Sequence, residues 1–192
     1  RIVMYATDWC PYCARARRLF ESKGVAFEEI DIDEVEGARA EMRERLHSLV
    51  PDVVFLQEVQ GAHLRHSRRH LAWPEGGQHG FLAHVGGHSA YGMNATYLDG
   101  HHGNAIVSRY PIVKWENIDI SHHALESRGL LHCEMAVPGW KAPLHCINVH
   151  LGLWARSRRF QLEWLCHRIR EAVPASAPLV VAGDFNDWRG VA

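Results

Sequence analysis

Three short apolar runs in this chain each close on a side chain that a strand interior does not tolerate alone. "DVVFLQEV" carries Glu58, "INVHLG" carries His150, and "VVAGDFND" carries Asp184 with Asn186 two residues on. Burying a charge without a partner is expensive, so strands that end this way have to gather their ends around a common partner. Further apolar runs, "NAIVSRY", "GLLHCEMAV", "PLHCINVHL" and "APLVVAGDF", read as short strands between turns. Between the last two lies "RSRRFQLEWLCHRIREAV", an amphipathic helix with Phe160, Leu162, Leu165 and Ile169 at helical spacing. Strands packed face to face with helices outside, a layered α/β arrangement, is the architecture these patterns predict. "DVVFLQEV" is expected to be a fully buried strand. The polar stretch from Gly61 to Gly103 is expected to be loop, with one helix near "HLRHSRRHLAW".

Glu58, Asp184 and Asn186 form an oxygen-rich set suited to Mg²⁺ or Mn²⁺ rather than zinc. Such a cation neutralises phosphate charge and stabilises a leaving oxygen, while an Asp orients or deprotonates the attacking water. His150, ending a third strand, is placed to contact or protonate a phosphoryl oxygen. Singly, each has a plainer reading: an edge salt bridge for Glu58, a turn pair for Asp184 and Asn186, a satisfied core histidine for His150. It is the recurrence in apolar frames that points to a site.

The opening of the chain has a different texture. "RIVMYA" reads as a strand, "CARARRLFESKG" as a helix stopped by Gly24, "VAFEEIDID" as a strand and "EVEGARAEMRERLHSL" as a helix. Cys10 and Cys13, in "CPYC", fall between the first strand and the first helix, where helix N-terminal N–H groups stabilise a thiolate. Arg15, Arg17 and Arg18 add to that field. Cys10 is then the attacking thiolate and Cys13 the resolving thiol in disulfide exchange. No second cysteine or histidine pair stands at zinc-finger spacing. The remaining cysteines, 133, 146 and 166, lie in apolar surroundings and read as small core residues, and five cysteines in all argue against a disulfide-stapled scaffold.

Residues 1–46 resemble the first half of a glutaredoxin, on "RIVMYATDWCPYCARARRLFESKGVAFEEIDIDE". The resemblance implies a thioredoxin-like β-α-β-α unit, thiol-disulfide chemistry at Cys10 and Cys13, glutathione as a possible cofactor, and Val50-Pro51 as the family's cis-proline pair. Thr7 stands where glutaredoxins often carry a basic residue, and their Gly-Gly turn has no counterpart after Glu58.

From about Leu46 to Ala192 the chain resembles the endonuclease/exonuclease/phosphatase (DNase I-like) superfamily, on "PDVVFLQEV", "GHHGNAIVSRYPI", "SRGLLHCEMAVPG", "INVHLG" and "VVAGDFNDW". This implies a layered β-sandwich with outer helices, here incomplete, and metal-dependent hydrolysis of phosphodiesters or phosphomonoesters. It assigns Glu58 as metal ligand, His150 as phosphate-contacting or acid residue, Asp184 to the attacking water, and Asn186 to phosphate orientation, with Asn104 and Arg128 binding substrate. The family's first strand and its closing Asp-His pair have no counterpart here. The expectation is therefore a chimera of a 1–46 segment and a 47–192 domain whose phosphoesterase activity is impaired. The alternatives are a glutaredoxin-like oxidoreductase and a chain that retains neither activity.

A formal net charge of -1 supplies no global field to draw in long nucleic acid, although fifteen histidines add positive charge in mild acid. Nucleic acid, phospholipid and small phosphorylated molecules all remain as substrates. No run of about 18 apolar residues is present to span a bilayer. With no basic-then-apolar leader at Arg1, a cytoplasmic location is the expectation. His66 and His70, flanked by arginines, read as a solvated basic face rather than a metal pair, and the tryptophans as core or rim.

Overall fold

The computed structural model describes residues 2–6, 11–31, 33–38, 40–41, 52–69, 77–80 and 87–187. The chain divides into two units, Arg1–Val50 and Pro51–Ala192. In the first, β1 (Ile2–Ala6), α1 (Pro11–Ser22) and β2 (Phe27–Asp31) follow one another. β1 and β2 pair in parallel from Ile2↔Phe27 to Ala6↔Asp31, a pairing that requires a crossover such as α1. The helix stops where Gly24 turns to φ +62° and the Val25 N–H bonds back to the Phe20 carbonyl at 2.9 Å. Phe20 on α1 packs on Phe27 of β2, ring centres 5.1 Å apart, and Arg17 forks onto the Glu29 carboxylate. The helix expected over 34–49 falls largely outside the described residues, as do Cys10 and Val50-Pro51.

The second unit runs β3 (Val53–His63), α2 (Leu64–Arg69), β4 (His88–Tyr97), β5 (Gly100–Ser108), β6 (Ile112–Asp119), β7 (Gly129–Met135), β8 (Leu144–His150), α3 (Ala155–Ala172) and β9 (Leu179–Asp184). Two sheets form, in orders β3-β5-β4 and β6-β7-β8-β9. All pairings are antiparallel except β8 with β9, which α3 connects. Ala90, Ile106, Leu131, Cys133, Met135 and Cys146 fill the space between the sheets. Ile120, Leu130, Ile147, Val149 and Leu151 form the opposite layer against Leu165 of α3. β8 is thus buried on both faces, which is why "HCINVH" shows no polar alternation.

Among the described residues from Gly61 to Gly103 strand replaces most of the expected loop, and the expected helix is α2. β3 continues to His63, and β4 buries small residues, Ala90 and Gly92, so its inward face carries little apolar signal. A Cβ on Gly92 would stand 2.1 Å from Asn117 Oδ1 of β6, which shows how tightly that face is packed. β6 escaped the sequence reading because Val113, Lys114, Trp115 and Glu116 of this edge strand are exposed. β3 is not fully buried. It is an edge strand, antiparallel to β5 and mostly half-exposed. Cys166 is exposed rather than core, and Trp115, Trp140, Trp154 and Trp164 are all exposed. The buried face of α3 is Ser157, Arg158, Gln161 and Leu165, with Phe160 lying against His122 instead. The side chains of His66 and His70 lie outside the described set.

Candidate active site

The parallel register of β8 and β9 sets His150 opposite Asp184, with Nε2 and Oδ2 3.9 Å apart. That register requires Gly183, whose φ is +140° and on which a Cβ would stand 1.9 Å from the Val149 carbonyl oxygen. Beyond the strand, Asn186 takes a left-handed conformation (φ 48°). Its backbone N–H donates to Asp184 Oδ1 at 2.9 Å, and its side-chain amide donates to the Leu151 carbonyl at 2.7 Å. The same carbonyl accepts Arg128 Nε–H at 3.2 Å, while Arg128 Nη1 reaches the Ser127 carbonyl at 3.2 Å. One backbone oxygen therefore fixes both the cation and the turn that carries the carboxylate.

Glu58 does not end its strand, as the sequence suggested. It sits in a β-bulge: the register passes from Leu56↔Ala105 to Val59↔Gly103, one extra residue on β3. Its φ is 54°, so a β-bulge with left-handed backbone presents an exposed carboxylate. The bulge is pinned from the other sheet by Asn148, which is completely buried. Asn148 Nδ2 donates to the Leu56 and Ala105 carbonyls at 2.8 and 2.9 Å, and its Oδ1 accepts from Gln57 Nε2 at 2.7 Å. Asn104, on β5 beside the bulge, is buried. Its amide donates to the Gly129 carbonyl at 2.9 Å, while its Oδ1 has no partner among the described residues. Glu58 and Asn186 are the non-glycine residues with positive φ among the described ones. Such backbone persists only where its surroundings over-determine it.

His150 is where these elements meet electrically. Burial, followed by the Arg128 charge, holds its imidazole below the ordinary histidine value; Asp184 and Glu58 pull the other way and His102 reinforces the lowering. The imidazole is therefore neutral at pH 7. Glu58, Arg128, His150, Asp184 and Asn186 thus act on one region. Asn104 stands behind it, inside the sandwich. Cys13 belongs to the first turn of α1 in the other unit. Asn148, His102 and the Leu151 carbonyl were not found from sequence: nothing in a string shows which backbone oxygen two distant residues will share.

No group of three or more His, Cys, Asp or Glu side chains converges as a cation cage among the described residues. Mg²⁺ is commonly held through one or two carboxylates, the rest of its shell being water and substrate phosphate. The exposed carboxylate of Glu58 meets that requirement, so the donor set fits a cation anchored at one point.

The model of the Endonuclease/Exonuclease/phosphatase family matches residues 30–190. Uncharacterized protein YbhP of Escherichia coli (strain K12) is 44% identical over 150 residues, 78% of this chain and 59% of that protein, so the chain spans well under two thirds of this relative. The glutaredoxin of Pseudomonas aeruginosa is 40% identical over 58 residues, 30% of this chain and 69% of that protein. Among solved structures, the human Nocturnin catalytic domain with bound sulfate matches with a TM-score of 0.55 at 19% identity, over 80% of this chain and 58% of that one. D. rerio TDP2 with a single strand DNA product matches with a TM-score of 0.50 at 22% identity, over 81% and 56%. At these identities the structural matches speak for the two-sheet fold, while the family model spans most of the sequence. The chain belongs to the endonuclease/exonuclease/phosphatase family.

Proposed function

We propose that the 51–192 unit hydrolyses phosphoesters where the bulge of β3 meets the ends of β8 and β9. The observation that carries this reading is that both left-handed non-glycine residues, Glu58 and Asn186, flank the His150–Asp184 pair with Arg128 beside it. Arg128, held by two carbonyls, neutralises a phosphoryl oxygen. His150, neutral at pH 7, donates a hydrogen bond to a second phosphoryl oxygen. Asp184, its Oδ1 fixed by the Asn186 N–H, orients the attacking water and takes its proton. Asn186, bonded to Asp184 Oδ1 through its backbone N–H and to the Leu151 carbonyl through one amide N–H, positions Asp184 and keeps a second amide N–H for phosphate. Mg²⁺ or Mn²⁺ at Glu58 would supply charge neutralisation and stabilise the leaving oxygen.

Hydrolysis of bis(p-nitrophenyl) phosphate with Mg²⁺ or Mn²⁺, against EDTA, tests the reading. Asp184→Asn should lower kcat by about a hundredfold or more, and Glu58→Gln should abolish the metal response. Metal-independent turnover, or turnover indifferent to both changes, would sink it.

A second reading concerns residues 1–50. Cys13 lies in the first turn of α1, after a parallel β-α start, and a glutaredoxin is 40% identical to the chain over 58 residues. This supports thiol-disulfide exchange with Cys10 as nucleophile and glutathione as co-substrate. Reduction of a mixed glutathione disulfide that survives Cys10→Ser would refute it.

A further inference from the structure

Beside the candidate site runs an open cleft of about 710 Å³, a volume that accommodates a ligand of nucleotide size. Arg128 belongs to both. Leu125, Trp154 and Arg156 form part of the cleft wall. Leu125 is 96% exposed and Trp154 71% exposed, large apolar surfaces that no side chain of the described unit covers. Arg156 is exposed and makes no ion pair among the described residues. The one acidic lining residue, Glu126, is buried and holds Gln161 Nε2–H at 3.0 Å. The open surface of the cleft is therefore apolar, with one aromatic ring, and flanked by the cations Arg128 and Arg156.

Resting on the phosphoesterase reading, we propose that this cleft is the specificity subsite and that it takes a nucleoside. The phosphate is held at Arg128, the base lies on the indole of Trp154, and Arg156 meets a further anionic or carbonyl oxygen. An acyl chain is the other apolar occupant to weigh. It would strip water from His123, Ser127 and Arg156, the exposed polar groups of the cleft wall, without replacing the hydrogen bonds, a cost that a base with polar edges does not incur. Stacking of a base on an aromatic side chain is also sequence-tolerant and substantial. Trp154 is then a specificity-determining residue, and Gly152 supports the wall. A Cβ there would stand 1.9 Å from Glu126 Oε1, so only glycine lets the carboxylate fold back into its buried place.

The test is equilibrium binding to the full chain in EDTA, by titration calorimetry, with adenosine 5′-monophosphate and inorganic phosphate as probes. The nucleotide should bind about tenfold or more tightly than phosphate. Trp154→Ala should remove that advantage and leave phosphate binding unchanged, and Trp154→Phe should keep most of it. Trp154 is too exposed for either variant to threaten folding. Equal affinity for the two probes, or a nucleotide advantage indifferent to Trp154→Ala, overturns the proposal. So does saturable binding of a short-chain phosphatidic acid that exceeds that of the nucleotide. Metal-dependent turnover of bis(p-nitrophenyl) phosphate is measured in parallel. Turnover without nucleotide preference removes the subsite alone, whereas nucleotide binding without turnover removes the phosphoesterase reading and leaves a nucleotide-binding cleft.

Discussion

Glu58 holds an exposed side chain on a backbone that favours glycine, at φ 54°. Left-handed backbone costs an ordinary residue about 1–2 kcal/mol. The bonds of buried Asn148 to the Leu56 and Ala105 carbonyls hold the bulge against it, turning a carboxylate outward while Leu56 and Val59 stay paired with β5. In an ordinary strand glycine is less stable than alanine. Here the order should reverse, with Glu58→Gly about 1 kcal/mol more stable than Glu58→Ala in urea denaturation, while both lose the metal response. Alanine equal to or better than glycine would show that the bulge carries no strain. Asn186 offers the same comparison with a different readout. Asn186→Gly keeps the φ of 48° but loses the bond to Leu151. Its stability should be close to wild type and its kcat reduced about tenfold or more, because Asp184 loses a support whose misplacement is costly. Wild-type kcat would mean that the backbone N–H alone fixes Asp184.

At the scale of elements, β8 is the strand on which the second unit turns. One face sends Cys146, Asn148 and His150 toward the first sheet, and the other sends Ile147 and Val149 toward α3. Asn148→Ala would orphan the Leu56 and Ala105 carbonyls and Gln57 Nε2 at once. A loss of about 3 kcal/mol or more is expected, since each buried unsatisfied group costs about 1–3 kcal/mol. Urea denaturation measures it, and a loss under 1 kcal/mol would mean that the bulge relaxes without its pin. The apolar runs with polar ends singled out His150, Asp184 and Glu58 by residue type alone, although the reason expected, a buried charge, does not hold for Glu58, whose carboxylate is exposed. The bulge at Glu58 was not legible: it arises from the register with β5, which residue type does not encode. β4 was hidden because its inward side chains are small, and β6 because its outward ones are large. On α3 the apolar spacing of Leu162, Leu165 and Ile169 was read correctly, but the first two turns bury polar groups instead. Arg158 spans the Leu153 carbonyl at 2.8 Å and Asp187 at 3.3 Å, and Gln161 joins the Gly152 N–H to Glu126. Hydrophobic periodicity cannot report a helix that docks through hydrogen bonds.

Across the whole second unit, stability should carry a signature of one chain of polar groups that runs from the surface to the buried His132 and His145 and has no part in the site. Glu116 on β6 accepts from Arg168 Nη2 at 2.6 Å, Arg168 Nε–H donates to His132 Nδ1 at 3.0 Å, and His132 Nε2 meets His145 Nδ1 at 2.9 Å. Since Arg168 can only donate, His132 must carry its proton on Nε2 and give it to His145. His145 Nε2–H is then left without an acceptor among the described residues. A second proton on His132 would face the guanidinium across 3.0 Å in a buried setting. Burial first, then Arg168 and His145, with Lys114 adding and Glu134 opposing, depress the His132 value from 6.5 to about 4. The unfolded chain titrates at the ordinary value, so it binds the proton before the folded one does. The stabilisation is complete above pH 6.5 and drains away as pH falls toward 4, by about 3 kcal/mol in all. His132→Leu removes the titrating group while keeping the carboxylates common to both proteins. The urea stability of wild type minus variant should therefore shrink by about 3 kcal/mol between pH 7 and pH 4, whatever its value at pH 7. A difference that stays constant over that range would show that His132 accepts its second proton in the folded state as readily as in the unfolded one, and that the chain from Glu116 to His145 rearranges to admit it.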